Sequence, residues 1–450
     1  MDAIGTGTVR GVARSAVVVL VLSLSLLGSA SNSSSLRACR AIAVTRAAVS
    51  FPHLRSLQAA VTQARPCDWI LVAPGVYPGP VTIRSPELHL RGLDRNRVIV
   101  DGAHRVGNGI TIEADDVSVE NLTVRNFDRR TANEDATGTQ VRWDGVDGWW
   151  GRYLTAYDSG LLGGYGLWAS RSRDGGLDHV YASGFDDSGL YVGACRDCRA
   201  VVEHALAEHN LVGLAATNAS GHFLVEHSLF RDNAVGASFN SSLSDPPPPQ
   251  LGACSAGQNR SPAPTLTTTR LARCTIFRDN QLLHNDALAV PSNTASFRPG
   301  SGIGVDLLGG YGNLIADNEI VDNRNVGILG LPLPIHRPAR FALAGNRIAG
   351  NRIGGSRLTI ALAGSRGSVN DCVQGNQGTP TVPADLRPFA CTHPVTPPPP
   401  GPASQRVLAF VDHLRAHLGG HPRRGQPVPQ PQPTMPAPCE GAPTNPLCRR

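Results

Sequence analysis

A nine-residue frame recurs down this chain: an apolar residue, four variable residues, a second apolar residue, two variable residues and, in most copies, Asn. It is carried by Val202–Asn210 (VEHALAEHN), Val225–Asn233 (VEHSLFRDN), Ala272–Asn280 (ARCTIFRDN), Ile315–Asn323 (IADNEIVDN) and Leu343–Asn351 (LAGNRIAGN). Leu177–Phe185 and Val119–Phe127 keep the frame but end in Phe. A glycine anchor runs alongside: Gly166, Gly189, Gly213 and Gly236 are spaced 23, 24 and 23 apart, and Gly304 and Gly327 are again 23 apart. Self-similarity at this length, without a helical period, specifies a solenoid. One repeat cannot bury its apolar edge alone and does so by stacking on the next.

Within each period lie short alternating runs such as Ile110-Thr-Ile112 and Val117-Ser-Val119, the pattern of half-buried strands. Gly, Asn and Asp punctuate them, as turns require. Stacked at the strand spacing of about 4.8 Å, such repeats make a parallel β-helix with one coil per repeat. The frame places Asn210, Asn233, Asn280, Asn323 and Asn351 in one stacked amide column. It places Phe230 and Phe277 in one inward column. A helical repeat is excluded, because Gly and β-branched residues recur where helix formers would sit.

These features resemble the right-handed parallel β-helix, pectin-lyase-like superfamily, in its secreted β-helix-repeat branch. The opening stretch adds to the likeness. Leu57-Gln-Ala-Ala-Val61 resembles that family's capping helix, and Asp68 to Tyr77 (DWILVAPGVY) its first coil with an APGxY turn. Leu93 to Gly102 resembles the strand and turn that follow. The resemblance covers residues 51–375. It implies an all-β solenoid with an N-terminal capping helix; it describes core and ladder rather than chemistry.

The organisation follows. Residues 1–30 read as a signal peptide: Arg10 and Arg14 precede the apolar run Ala16–Leu27, and Gly28-Ser-Ala30 is a small-residue cleavage site. That run is too short for a comfortable membrane span, although an uncleaved anchor stays open. Residues 31–50 are a lead-in and 51–391 the β-helix. Ser241 to Thr269, with Pro246 to Pro249, reads as a side insertion. The frames flanking it, 47 residues apart, make it replace most of one coil. Residues 392–450 read as a Pro-rich linker, a short helix with Val407, Leu408, Val411, Leu414 and Leu418 on one face, and a disordered tail. That helix either caps the far end of the solenoid or stays mobile.

Ten cysteines suit an oxidising compartment, so the expected location is secreted, cell-surface or periplasmic. Cys39–Cys67, Cys254–Cys274, Cys372–Cys391 and Cys439–Cys448 are plausible local pairs, and Cys195-Arg-Asp-Cys198 reads as a turn staple. Every one of the 41 basic residues is Arg, so a cationic role falls to Arg or His. The net charge of +6 favours an acidic partner and is too diffuse to argue nucleic acid. The chain is expected to be a monomer without a membrane span after signal cleavage.

Residues 142–191 hold the densest acidic and aromatic stretch. Trp143, Trp149, Trp150, Tyr157, Tyr191 and Asp187 are expected to bind sugar, by ring stacking and hydroxyl contacts. His179 and Tyr181, two apart on a strand, would share a face and move a proton α to a uronate carboxylate. Arg171 and Arg173 would neutralise that carboxylate. Alternatively, His179 fills a turn column shared with Asn121, His204 and His227. The resemblance implies a Ca²⁺ site at Asp158, Asp174 and Asp187. Asp186, three residues before Gly189, reads as a ladder residue. No lysine suits a pectate-lyase site, and no Asp-Pro-His-Asp run is present.

Taken together, the expected function is that of a secreted carbohydrate-active β-helix on acidic, uronate polysaccharide, by lyase or C5-epimerase chemistry if it is catalytic. A non-catalytic glycan-binding module is the alternative. A further one is a copper-binding-type β-helix, because Glu203-His204 and Glu226-His227 repeat 23 residues apart with His209 and His222 near them.

Overall fold

Alternation builds the strands. In Thr139–Asp144, Val141 and Trp143 are fully buried, while Arg142 and Asp144 beside them are not. The computed structural model describes residues 39–45, 56–129, 137–160, 162–242, 275–286, 300–333, 341–364, 371–386, 390–391, 402–416 and 428–448. Each coil gives one strand to each of three parallel sheets, which have 12 (sheet A), 10 (sheet B) and 11 (sheet C) strands among the described residues. From Tyr165–Ser170 in sheet C the chain passes to Gly175–Asp178 in sheet A, then Tyr181–Ser183 in sheet B. It returns to sheet C at Ser188–Gly193. Register advances coil by coil: Leu167 faces Leu190, Leu177 faces Val202, and Ala182 faces Ala207. The fold is a parallel β-helix.

The corner from sheet A to sheet B is one residue in the left-handed conformation. Asn121, Tyr153, His179, His204, His227, Asp279 and Asp317 fill it with φ of 50–55°. Asn, Asp and His are the non-glycine residues that tolerate this region best, so the corner selects them. The glycine anchor has a different cause. A Cβ on Gly213 would lie 2.5 Å from the Gly236 oxygen and 3.0 Å from Asn233 Nδ2. Only Gly lets the strand run that close to the amide ladder.

That ladder is two ladders. Asn210, Asn233, Asn285 and Asn323 stack at the corner between sheets B and C, each Nδ2 donating to the next Oδ1 at 3.0–3.1 Å. Asn280, Asn318, Asn351 and Asn376 stack at the corner between sheets A and B. Two frames were therefore read five residues out of register. Phe277 faces Val225 and Ile315 in sheet A, whereas Phe230 faces Ala207 and Leu282 in sheet B. The two Phe rings still touch across the core, with centroids 5.8 Å apart. Nor does the insertion replace a coil. Strand Phe223–Glu226 pairs directly with Thr275–Arg278 in sheet A, with no coil between them, and residues 243–274 lie outside the described residues. Asp186 is not a ladder residue; Phe185 holds the ladder position, its amide donating to Asn210 Oδ1 at 3.1 Å.

The ends are treated differently. Helix α1 (Leu57–Gln63) covers the first coil with Leu57, Ala60 and Val61, which belong to the main core. Gln58 Oε1 accepts from the Thr82 amide at 2.7 Å, and Gln58 Nε2 donates to the Thr82 carbonyl at 3.2 Å. These bonds satisfy the open edge of sheet C. Helix α2 (Pro402–Ala416) does not cap the far end. Val407 and Val411 are fully buried in an apolar cluster on the outside of sheet C, with Ile303, Val326 and Leu329. Residues 428–448, expected to be disordered, lie as a strap on the early coils. Arg91 donates to the Glu440 carbonyl at 2.7 Å and Arg95 to the Pro433 carbonyl at 3.0 Å. Disulfides join Cys39–Cys67, Cys195–Cys198, Cys372–Cys391 and Cys439–Cys448. Cys254–Cys274, the leader at 1–30 and Leu418 lie outside the described residues.

Candidate functional site

The residues proposed for elimination chemistry occupy three different edges of the coil. His179 sits in the A-to-B corner and Tyr181 on the outer face of sheet B. The left-handed corner residue turns the chain from sheet A into sheet B, so the rule that places i and i+2 on one face fails between them. The Tyr181 hydroxyl donates to Glu208 Oε1 at 2.7 Å, and burial raises its pKa further. Arg171 and Arg173 lie in the turn from sheet C to sheet A. There they donate to Asp144 at 3.0 Å and to Asp147 at 2.6 Å. The four groups do not form one catalytic centre.

The sugar-stacking residues are also redistributed. Trp143 and Trp149 are 0 % exposed core residues, with rings 5.5 Å apart, so they cannot meet a sugar. Gly151 makes their room: a Cβ there would come within 2.9 Å of the Trp143 ring. Trp150 is half-buried on sheet A, its ring covered by Arg152 at 4.2 Å. Tyr157 is buried, and its hydroxyl accepts from Arg125 at 2.6 Å. Tyr191 stacks on Trp168 at 5.6 Å, and Arg142 lies over Trp168 at 4.5 Å. Both rings of that row on sheet C are buried. Among the described residues, the three acids assigned to Ca²⁺ do not meet in one ligand group. Asp174 pairs with Arg199 at 2.6 Å, Asp187 accepts from the Tyr165 hydroxyl at 3.0 Å, and Asp158 caps a turn.

A different group is assembled around His104. The strand Val98–Val106 pairs with Thr123–Asp128 but slips register between Asp101 and Arg105. Ala103 and His104 take φ of 50° and 58° in this bulge. Bulges re-aim side chains in this manner. His104 Nδ1 comes to 3.4 Å from Asp128 Oδ1 and 3.7 Å from Asp158 Oδ1, and its Nε2 lies 3.3 Å from Ser159 Oγ. Both acids are buried, whereas the imidazole side chain is 42 % exposed. Ala103 and Arg105 on either side of His104 line a groove of about 560 Å³ with Val76, Pro78 and Asp101.

The electrostatics of the group are uneven. Burial, with Asp128 beside it, pushes the Asp158 carboxyl up to about 6, against the amides of Gly163 and Gly160. Asp158 accepts from the amides of Gly160, Leu162 and Gly163 at 3.2, 3.0 and 2.8 Å. Burial likewise raises the nearby Asp186 to about 8, opposed by its ion pair with Arg129. Asp101 goes the other way: burial would raise it, but the Ala103 amide and Arg125 together hold it below the usual range. An imidazole backed by two buried acids, with Arg105 beside it on the groove, can accept and return a proton. Sequence reading missed His104, because its placement depends on a bulge. The signal present was the Gly102-Ala-His-Arg105 run interrupting an otherwise alternating strand.

No helix of the described residues is long and apolar enough to cross a membrane. No family model matches the chain, and no curated protein matches it. Several solved structures are similar. One is a pectin methylesterase with a bound hexasaccharide, at 13 % identity and TM-score 0.36, covering 69 % of this chain and 88 % of that one. Another is the alginate lyase from Paenibacillus sp. str. FPU-7, at 15 % identity and TM-score 0.37, covering 71 % of this chain and 96 % of that one. A third is the tailspike protein of E. coli bacteriophage HK620 in complex with a pentasaccharide, at 12 % identity and TM-score 0.45, covering 70 % and 54 %. Likeness at this level is one of fold.

Proposed function

We propose that this is a secreted β-helix protein that acts on an acidic polysaccharide, with the chain of sugars seated in the groove beside His104. The observation that carries this reading is the placement of His104 itself. It is a partly exposed imidazole with the carboxylates of Asp128 and Asp158 beside it, and its neighbours Ala103 and Arg105 line the groove. Elimination and C5 epimerisation both begin by removing the proton α to a uronate carboxylate. That step needs a base and a cation for the developing enediolate. His104 supplies the first and Arg105 the second. Asp128 and Asp158 hold the imidazole in place. The ribbon Asp101–Arg125–Tyr157 continues the polar wall onto the next coils through Arg125, which bonds both neighbours.

The test is incubation of the full chain with pectate, alginate and other uronate polymers. New unsaturated ends, or a changed epimer ratio, are expected. H104N should abolish turnover while binding persists, and R105S should weaken both. Absence of binding and turnover on every uronate polymer would remove the proposal. Binding without turnover by the unaltered protein would leave a glycan-binding module in its place.

A further inference from the structure

Away from that groove, the A-to-B corner carries a column of rings. Tyr153 stacks on His179 at 4.6 Å, His179 on His204 at 4.5 Å, and His204 on His227 at 6.0 Å. Asp178 ends the strand just before this corner. Its Oδ1 lies 2.5 Å from His179 Nδ1 and 3.0 Å from His204 Nδ1, so two imidazoles from successive coils converge on one carboxylate. We propose that Asp178, His179 and His204 bind a divalent first-row transition-metal ion of the kind that takes imidazole nitrogen together with carboxylate oxygen.

Three observations support the site. First, the donor atoms lie within 4.8 Å of one another, and two of the three separations are 3.0 Å or less. Metal–nitrogen and metal–oxygen bonds of about 2.0–2.2 Å in a tetrahedral site put ligand atoms about 3.3 Å apart. Small side-chain rotations reach that spacing, and solvent takes the remaining position, since all three side chains are partly exposed. Second, Asp178 breaks the charge pattern of this protein. Its acids typically pair with an arginine one coil away, as Asp144 does with Arg171, Asp147 with Arg173 and Glu226 with Arg278. Among the described residues, Asp178 has imidazole partners and no arginine. Glu203, its neighbour in register, adds a second carboxylate close by. Third, the rings are held in place before any ion arrives. Tyr153 covers one face of His179, and each corner residue is fixed by the ladder of strands on either side. Preset ligands lose little freedom on binding.

The other convergent groups are weaker. Asp158 is committed to three backbone amides, and Glu208 already accepts from Tyr181 and Arg231. His227 lies beyond the proposed ligand set, which shifts the metal reading from His204 and His227 to the coil before.

The test needs substitutions that keep the corner. Asn is the natural choice, because Asn121 fills the same column with φ of 55°. Calorimetric titration of the full chain with Zn²⁺ or Cu²⁺ should show one tight site, and Ca²⁺ should show none. H179N, H204N and D178N should each weaken binding at least about 100-fold, given that loss of a mere outer partner of a metal ligand costs about 10–100-fold. H227N should leave it unchanged. In the unaltered protein, bound Zn²⁺ should shield His179 and His204, but not His227, from diethyl pyrocarbonate. No stoichiometric uptake, uptake that survives H179N with H204N, or loss of uptake in H227N would each overturn the assignment.

Discussion

Thr434 Oγ1 donates to Asn121 Oδ1 at 2.8 Å, joining residues 313 positions apart, and the Met435 amide donates to the same oxygen at 2.9 Å. The strap thus completes the amide at the head of the A-to-B corner column. It also closes over Arg95, a guanidinium only 2 % exposed that donates to Thr155 Oγ1 at 2.8 Å and to the Leu154 carbonyl. Removing residues 428–450 should lower the melting temperature and raise amide exchange around residues 91–97 and 121. R95A should cost about 2–4 kcal/mol, because it leaves buried acceptors without donors. Unchanged exchange at the early coils would show that the strap is only loosely held.

The Asn ladders predict a gradient along the solenoid. Asn285 is fully buried; its Nδ2 donates to the Phe230 carbonyl at 2.9 Å and to Asn323 Oδ1, while its Oδ1 accepts from Asn233. N285A removes both directions of this relay and should cost about 3 kcal/mol in urea denaturation. Asn376 ends the other ladder and is partly exposed. N376A should cost about 1 kcal/mol, since water can replace what is lost. Equal costs at the two positions would mean that the ladder does not act through burial.

Trp143 separates packing from recognition. W143A opens a large cavity beside Trp149 and Gly151 and should cost about 3–5 kcal/mol. Glycan binding should be unaltered at temperatures where the variant is folded, as measured by affinity electrophoresis. Loss of binding by the folded variant would return Trp143 to the site.

Much of the coil geometry was legible in the residues. The period, the inward positions such as Leu177 and Val202, and the glycine column all follow from local constraints repeated at fixed spacing. The register slip at 272 and 343 has a physical origin. Each coil has two tight corners five residues apart, so Asn280 and Asn285, or Asn318 and Asn323, satisfy the same local pattern. Only the pairing of Phe277 with Val225 tells them apart. The burial of Trp143 was readable too: it alternates with Arg142 and shares the parity of Val141. Composition obscured it, because a cluster of Trp suggests a surface. His104 was not readable, since a bulge and contacts from two other coils place it. The strap was hidden for a similar reason. Its bonds join segments more than 310 residues apart, and proline content alone suggested disorder.

Asp306 gives the sharpest pH test. It projects from sheet C beside Ser238 and is fully buried, and burial pushes its carboxyl from 3.8 up to about 7. The sign follows from proton binding. Between these values the folded state holds a proton that the unfolded chain has released, so stability falls as pH rises through this window. Below pH 4 both states are protonated, and Asn is nearly isosteric with the neutral acid. D306N should therefore match the parent protein at acidic pH. It should become more stable than the parent as pH rises, by at most about 4 kcal/mol above pH 7, at about 1.4 kcal/mol per unit. Urea denaturation at several pH values measures the difference directly. A stability difference that stays constant from pH 4 to pH 8 would show that Asp306 does not change its charge in that range.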